Sequence, residues 1–211
     1  MLALVLAACA AGAQQPQQQP QPQQPPPVST VPTEALAGQQ VALMPLTLVA
    51  AEPTLQADSL YAPYRDRRAT LSLADSLIGE AFASRAPEVR WVLPPELRKL
   101  ARRSPGIVGD PDAMGQAMLR APKLRDIPDP LRSSLRNLMA VVGGRVAMVP
   151  AALSFGREAD GRIRADLSLV LGDTRGGRVL WRALATGRGA SPPEALDAAL
   201  AVALPVELAP Q

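Results

Sequence analysis

From Gly38 onward, apolar residues recur along the chain in two rhythms, one of strands and one of helices. Val41–Ala50 is a continuous apolar run rich in strand formers and reads as one buried strand. Pro45 inside it then requires a bulge, the strand end or an edge position. A polar stretch, 52–69, holds Tyr61 and Tyr64, after which Leu73, Leu77, Ile78, Ala81 and Phe82 recur at helical spacing. Ser72-x-x-Asp75 offers a capping box for that helix. Val89–Leu93 predicts a second short strand. Residues 95–103 predict a helix with Pro in its first turn and Arg in its last.

Asp110-Pro111 and Asp129-Pro130 each have the form of an N-cap followed by Pro at the first helical position. The second opens a helix whose Leu131, Leu135, Leu138, Met139 and Val142 make one stripe, ended by Gly143-Gly144 in a left-handed cap. Arg145–Phe155 is a further apolar strand. Residues 163–171 alternate, with Leu167, Leu169 and Leu171 on one face. Asp173–Gly177 predicts a hairpin loop, and 178–186 returns with Val179, Trp181 and Ala183 alternating. Ser191-Pro-Pro-Glu194 is a capping box for a last helix carrying Leu196, Leu200 and Leu204. The expected order is β-α-β-α-α-α-β-β-β-α: an α+β domain over 38–206, a mixed sheet of about five strands with helices packed on it, and a tail at 207–211.

Composition narrows the chemistry. The 211-residue chain has no histidine and one cysteine. Ser-His-Asp and Cys-His catalysis, zinc sites built on His or Cys clusters, and internal disulfides are therefore excluded by inventory. Net charge is +3. Residues 85–145 hold 12 Lys/Arg against 6 Asp/Glu, so the positive excess sits mid-chain. A nucleic-acid partner is not expected, because no basic run with interleaved aromatics occurs.

The amino terminus adds a destination. Residues 1–9 are a short apolar run ending in small residues, which reads as a secretory signal. Leu6-Ala-Ala-Cys9 has the form of a bacterial lipobox, in which the cysteine is acylated and becomes the first mature residue. The apolar stretch is short, Leu2–Ala8, and no Lys or Arg precedes it; a start placed too far downstream would explain both. Gln14–Pro27 consists of eight Gln and six Pro. Such a run has no apolar surface to bury, and Pro biases it toward extended polyproline II. Residues 10–37 are thus expected to be a disordered tether. Residues 10–33 of it, about 24 residues, would reach about 70 Å at roughly 3.1 Å per residue. A ligand for a PxxP-reading domain is the competing reading of the same run.

Four local features together carry a resemblance. Val41-Ala-Leu-Met-Pro45 resembles the apolar-run-then-Pro first strand of a domain found at the amino terminus of the Tol-system protein TolB, in curli-secretion lipoproteins and in lipoproteins that activate penicillin-binding proteins. Gly143-Gly-Arg-Val-Ala-Met-Val149 resembles its third strand, entered from a helix through glycine. Gly176-Gly-Arg-Val-Leu-Trp181 resembles the strand after its hairpin, and Gly187 ahead of a terminal helix matches its ending. The resemblance spans about residues 40–205. Leu46 stands where Phe is common, and 93–130 has no clear counterpart. It implies a non-enzymatic, lipid-anchored periplasmic module that regulates or assembles another envelope protein of the cell-wall synthesis or secretion machinery. Ala10, in place of Asp after the acylated cysteine, implies sorting to the outer membrane.

The candidate sites follow. Cys9 is the expected lipid attachment, giving the membrane as one partner. Helix 95–103 turns Leu97, Leu100 and Ala101 inward, which leaves Arg98, Lys99, Arg102 and Arg103 as a basic face for an anionic partner. The close carboxylates Asp110/Asp112 and Asp126/Asp129 are what a carboxylate-based glycan hydrolase, the alternative function, would use, although helix capping already explains Asp110 and Asp129. Gly187 and Gly189 before a helix start suggest either an anion-binding nest or a strand-exit turn. Trp91 and Trp181 lie in strands, as core or as an exposed platform. No cofactor, catalytic residue or metal ligand is expected.

Overall fold

The computed structural model describes residues 30–205. The expected signal and lipobox with Cys9, the Gln/Pro run and the tail at 207–211 lie outside the described residues. In chain order the elements are α1 (Thr33–Leu36), β1 (Gln40–Leu43), β2 (Val49–Ala51), α2 (Pro53–Ala57), α3 (Arg67–Arg85), β3 (Arg90–Val92), α4 (Pro94–Arg103), α5 (Leu131–Val142), β4 (Val146–Arg157), β5 (Ile163–Asp173), β6 (Arg178–Gly189) and α6 (Pro192–Ala203). Three short 3-10 turns, at 59–64, 111–113 and 116–120, complete it.

The strands form one mixed sheet in the order β3-β1-β4-β5-β6, with β2 also paired to β4. β1 is parallel to both β3 and β4, whereas β4, β5 and β6 form an antiparallel meander. The period of two sorts the sheet's side chains between two cores. Val41, Leu43, Met148, Leu153, Leu167 and Leu169 face α3 and α6. Ala42, Met44, Ala147, Val149 and Val170 face α4, α5 and the irregular stretch before α5. The α+β class and mixed sheet are as expected, with six strands in place of five.

The extra strand comes from Pro45. A proline has no N–H for a ladder, so the apolar run 41–50 cannot continue as one central strand. β1 stops at Leu43, the chain leaves the ladder with Met44 and Leu46 still buried, and β2 rejoins the same side of β4 five residues beyond β1's last pair. β4 accommodates the loop with its own irregularity between Pro150 and Ala152. The loop's backbone groups are satisfied by side chains: the Leu46 amide donates to Asp75 Oδ1 (2.8 Å), and the Pro45 carbonyl accepts from Gln116 Nε2 (3.1 Å).

The helix expected after Asp110 is reduced to the 3-10 turns at 111–113 and 116–120, and two boundaries move, one of a helix and one of the tether. Helix α3 starts at Arg67, because Asp66 is the better cap: its carboxylate accepts from the Ala69 amide at 2.9 Å. Ser72 is therefore interior to the helix, and Asp75 turns to the core instead of closing a capping box. The apolar stripe shifts with it, leaving Leu73 40% exposed while Ala74, Ile78 and Phe82 are buried. At the amino-terminal side, the expected tether reaches too far. Val31 and Leu36 are buried in the core, and the Val31 amide donates to the Ala203 carbonyl at 2.9 Å. Burying those two side chains outweighs leaving 31–37 free.

The hairpin loop expected at Asp173–Gly177 is anchored by Asp173. Its carboxylate takes a two-pronged contact from Arg145 (2.9 and 2.5 Å) and the amides of Arg175 and Gly176, both at 3.0 Å. The Arg145 guanidinium first, then the loop amides, hold the carboxyl at about 2, below its ordinary 3.8. A depressed carboxylate stabilises the fold above its unfolded value and loses that contribution as pH falls toward the folded value. With Arg145 64% exposed and its attraction screened by solvent, this amounts to on the order of 1–2 kcal/mol. Asp173→Asn should accordingly flatten the fall in thermal midpoint between about pH 4 and pH 2. An unchanged slope in the variant would remove Asp173 from the account of the loop.

Candidate functional site

The basic face expected on α4 divides in the structure. Arg98 turns toward α3 and the 111–113 turn. Its Nη2 donates to Asp75 Oδ2 at 2.6 Å, and its Nε and Nη2 grip both oxygens of Asp112 at 2.8 and 2.7 Å. Asp75 is 8% exposed, and burial pushes its carboxyl above the ordinary range against the pull of the Leu46 amide and Arg98. The guanidinium is held correspondingly more firmly in its charged form, first by Asp112 and then by Asp75. Arg98 thus joins α3, α4, the Pro45 loop and the 111–113 turn, and its guanidinium is committed to two carboxylates. Lys99 is exposed and 3.9 Å from Glu96. Arg102 and Arg103 are exposed with no ion pair among the described residues. Of four cations, these three remain outward.

Three of the four carboxylates of the hydrolase reading are separately committed, and the fourth, Asp126, is exposed in the segment beside β6. Asp110 accepts from the Asp112 amide (3.0 Å), Asp112 is held by Arg98, and Asp129 accepts from Ser133 Oγ (2.9 Å). Asp129 is not the helix cap, since Pro130 occupies that place. Among the described residues no three or more His, Cys, Asp or Glu come close enough to hold a metal. Gly187 and Gly189 form neither a nest nor a turn. They are in β6, and a Cβ on Gly187 would collide with the Ala195 carbonyl and the Ala199 amide of α6. Their lack of a side chain lets helix and strand approach closely. Trp91 is half-buried, edge-on to Phe82 at 4.8 Å, with its Nε1 donating to the Ala86 carbonyl at 2.9 Å. Trp181 is also half-buried, packed against the α3–α6 core.

The surface that the structure assembles instead lies at β6, the sheet's terminal strand. Segment 125–127 pairs with its first residues: the Val179 amide donates to the Arg125 carbonyl (2.8 Å), and the Ile127 amide to the Gly177 carbonyl (2.7 Å). Arg182 staples the preceding stretch down, donating to the carbonyls of Leu119 (3.3 Å), Ala121 (2.6 Å) and Leu124 (2.7 Å). An open groove of about 460 Å³ results, walled by Pro122, Leu124 and Arg125 on one side and by 178–182 of β6 on the other. Beyond Val179, no described segment hydrogen-bonds through its backbone to the outer side of β6. Leu180 and Leu184 are 54% and 58% exposed there. Arg120, Lys123, Arg125 and Arg178 are exposed, and none has an ion pair among the described residues. The mid-chain positive excess therefore gathers beside a sheet edge.

Sequence reasoning missed this site. Alternation placed Val179, Trp181 and Ala183 on one face of the strand, and the intervening Leu180, Arg182 and Leu184 were the available signal. A β-bulge adds to the difficulty: the β5–β6 register shifts between Leu171 and Gly172, so that Leu180 has no partner on β5.

The sequence matches no protein-family profile and no curated protein. Similar solved structures include the LpoB C-terminal domain from Salmonella enterica, 15% identical over 72% of this chain and 83% of that one, with a TM-score of 0.35. The PelC dodecamer from Paraburkholderia phytofirmans is 17% identical over 87% of this chain and 96% of that one, at 0.35. The lipoprotein GNA1162 from Neisseria meningitidis is 14% identical over 72% and 82%, at 0.34. At these identities and scores none of them assigns a partner or an activity to this chain.

Proposed function

We propose that this chain is a lipid-anchored, non-enzymatic module of the bacterial envelope whose folded domain binds another envelope protein, from the periplasmic face of the outer membrane. The observation that carries the binding is the open groove and outer edge at β6, where exposed Leu180 lies beside Arg125 and Arg178, cations without ion-pair partners among the described residues, and exposed Leu184 follows along the strand. An exposed apolar patch rimmed by charge marks an interaction surface. Cys9 behind a small-residue stretch supplies the anchor, and the Gln/Pro run separates that anchor from the domain. A lipid on Cys9 and a spacer of this kind would let the domain search the periplasm at fixed distance from its membrane.

Anchoring has a direct test in cells. Several acyl chains anchor stably, each buried methylene contributing about 0.8 kcal/mol. Cys9→Ser is expected to move the full chain from the membrane fraction to the soluble periplasmic fraction. A variant that still fractionates as wild type does would end the lipoprotein reading. Chemical crosslinking of the full chain in the native envelope, followed by mass spectrometry of the adducts, tests the binding. A reproducible envelope-protein adduct is expected; its absence across reagents of different reach would contradict a binding module.

A further inference from the structure

We propose that the outer edge of β6 is completed by an extended, acidic segment of the partner, added as a further strand; this rests on the binding-module reading above and specifies its docking mode. β6 is 12 residues long, and among the described residues only its start is paired on the outer side, by segment 125–127. A long edge strand presents a row of backbone donors and acceptors, a ready template for another extended chain. The short pairing at Arg125–Ile127 already lays a chain antiparallel along that edge, and an incoming strand continues it from Leu180 onward. Leu180 and Leu184 offer apolar contact to its alternate side chains.

Charge decides the kind of chain. Segment 120–126 carries Arg120, Lys123 and Arg125 against Asp126 alone, and Arg178 stands across the groove from it. Carboxylates on the incoming strand meet these cations, which gives the contact its orientation and speeds encounter. A second copy of this chain is a poor occupant, because it brings the same cations, Arg125 and Arg178, to the facing edge where carboxylates are needed, and like charges there repel.

The test uses the full chain in detergent and three fluorescein-labelled nonapeptides: alternating Glu and Val, alternating Lys and Val, and alternating Glu and Pro. The last keeps the charge and removes strand donors. By fluorescence anisotropy the Glu/Val peptide should bind at least tenfold more tightly than either of the others, and more weakly as salt is raised. Arg125→Glu/Arg178→Glu should lose at least tenfold, and Leu184→Asp, which leaves those cations in place, should also weaken binding. Amide exchange across 180–189 should slow in the complex. Equal binding of Glu/Val and Glu/Pro, or no slowing at 180–189, overturns strand addition. Binding that appears only after deletion of 206–211, or a dimer of the free chain abolished by Leu184→Asp, overturns it in favour of the chain's own tail or a second copy. In each of these cases the envelope adducts of the crosslinking experiment still stand or fall separately.

Discussion

Arg98→Ala should lower the thermal midpoint by roughly 6–12 °C, an effect far beyond that of an exposed arginine. The variant strands Asp75, an 8% exposed carboxylate left, among the described residues, with the Leu46 amide as its hydrogen-bond donor. Removing one member of a buried ion pair costs about 3–5 kcal/mol, and the low end applies because Arg98 is 30% exposed. Two consequences separate this from a packing loss. Asp75→Asn placed on top of Arg98→Ala should recover part of the deficit, since an amide can still accept from Leu46 without carrying a charge. The deficit should also narrow as pH falls from 7 through the carboxylate range. A carboxyl raised in the folded state destabilises while charged, and protonation relieves it. Lys99, Arg102 and Arg103 changed together to Glu should each contribute within about 0.5 kcal/mol. A shift for Arg98→Ala no greater than theirs would return all four residues to one solvated face.

Gly187→Ala carries the other large expectation. The added methyl would meet the backbone of α6 at Ala195, Ala198 and Ala199, and backbone cannot move aside as a flexible side chain can. Overpacking costs about 1–3 kcal/mol where neighbours can adjust, and more where they cannot. Helix α6 covers β5 and β6 through Ala195, Leu196, Ala199 and Leu200, so displacing it opens the larger core. The variant should unfold well below wild type or fail to accumulate. Gly109→Ala is the matched control, because nothing lies within 4 Å of its Cβ position and its φ is not in the left-handed range. Comparable midpoints for the two variants, measured by circular dichroism, would show that α6 and β6 are not in close backbone contact.

These two positions also show where sequence reading ends. The strands, the α5 stripe, the Gly143 left-handed cap, the hairpin at Asp173 and the Ser191 cap of α6 were legible because each rests on neighbours within a few residues. Arg98 was not. Its position beside Leu97 on an amphipathic helix fits solvent as well as it fits a clamp, and the deciding partners, Asp75 and Asp112, are 23 and 14 residues away. Asp75 was obscured by Ser72, a plausible cap that lost to Asp66 one and a half turns earlier. Gly187 and Gly189 invited a turn or a nest because close approach of a helix leaves no trace in local sequence. The β6 groove depends on a segment some sixty residues upstream reaching under Arg182, which no periodicity encodes.

The tethered domain is expected to meet its partner through the β6 edge. Site-specific photo-crosslinking in the native envelope tests it most directly, with benzoylphenylalanine placed in the full chain at Leu184 and, for comparison, at the exposed Glu80 of α3. A discrete envelope-protein adduct is expected at position 184, absent at position 80 and lost when Cys9→Ser frees the chain from its membrane. Equal adducts at both positions, or none at 184 while other surface positions crosslink, would contradict it.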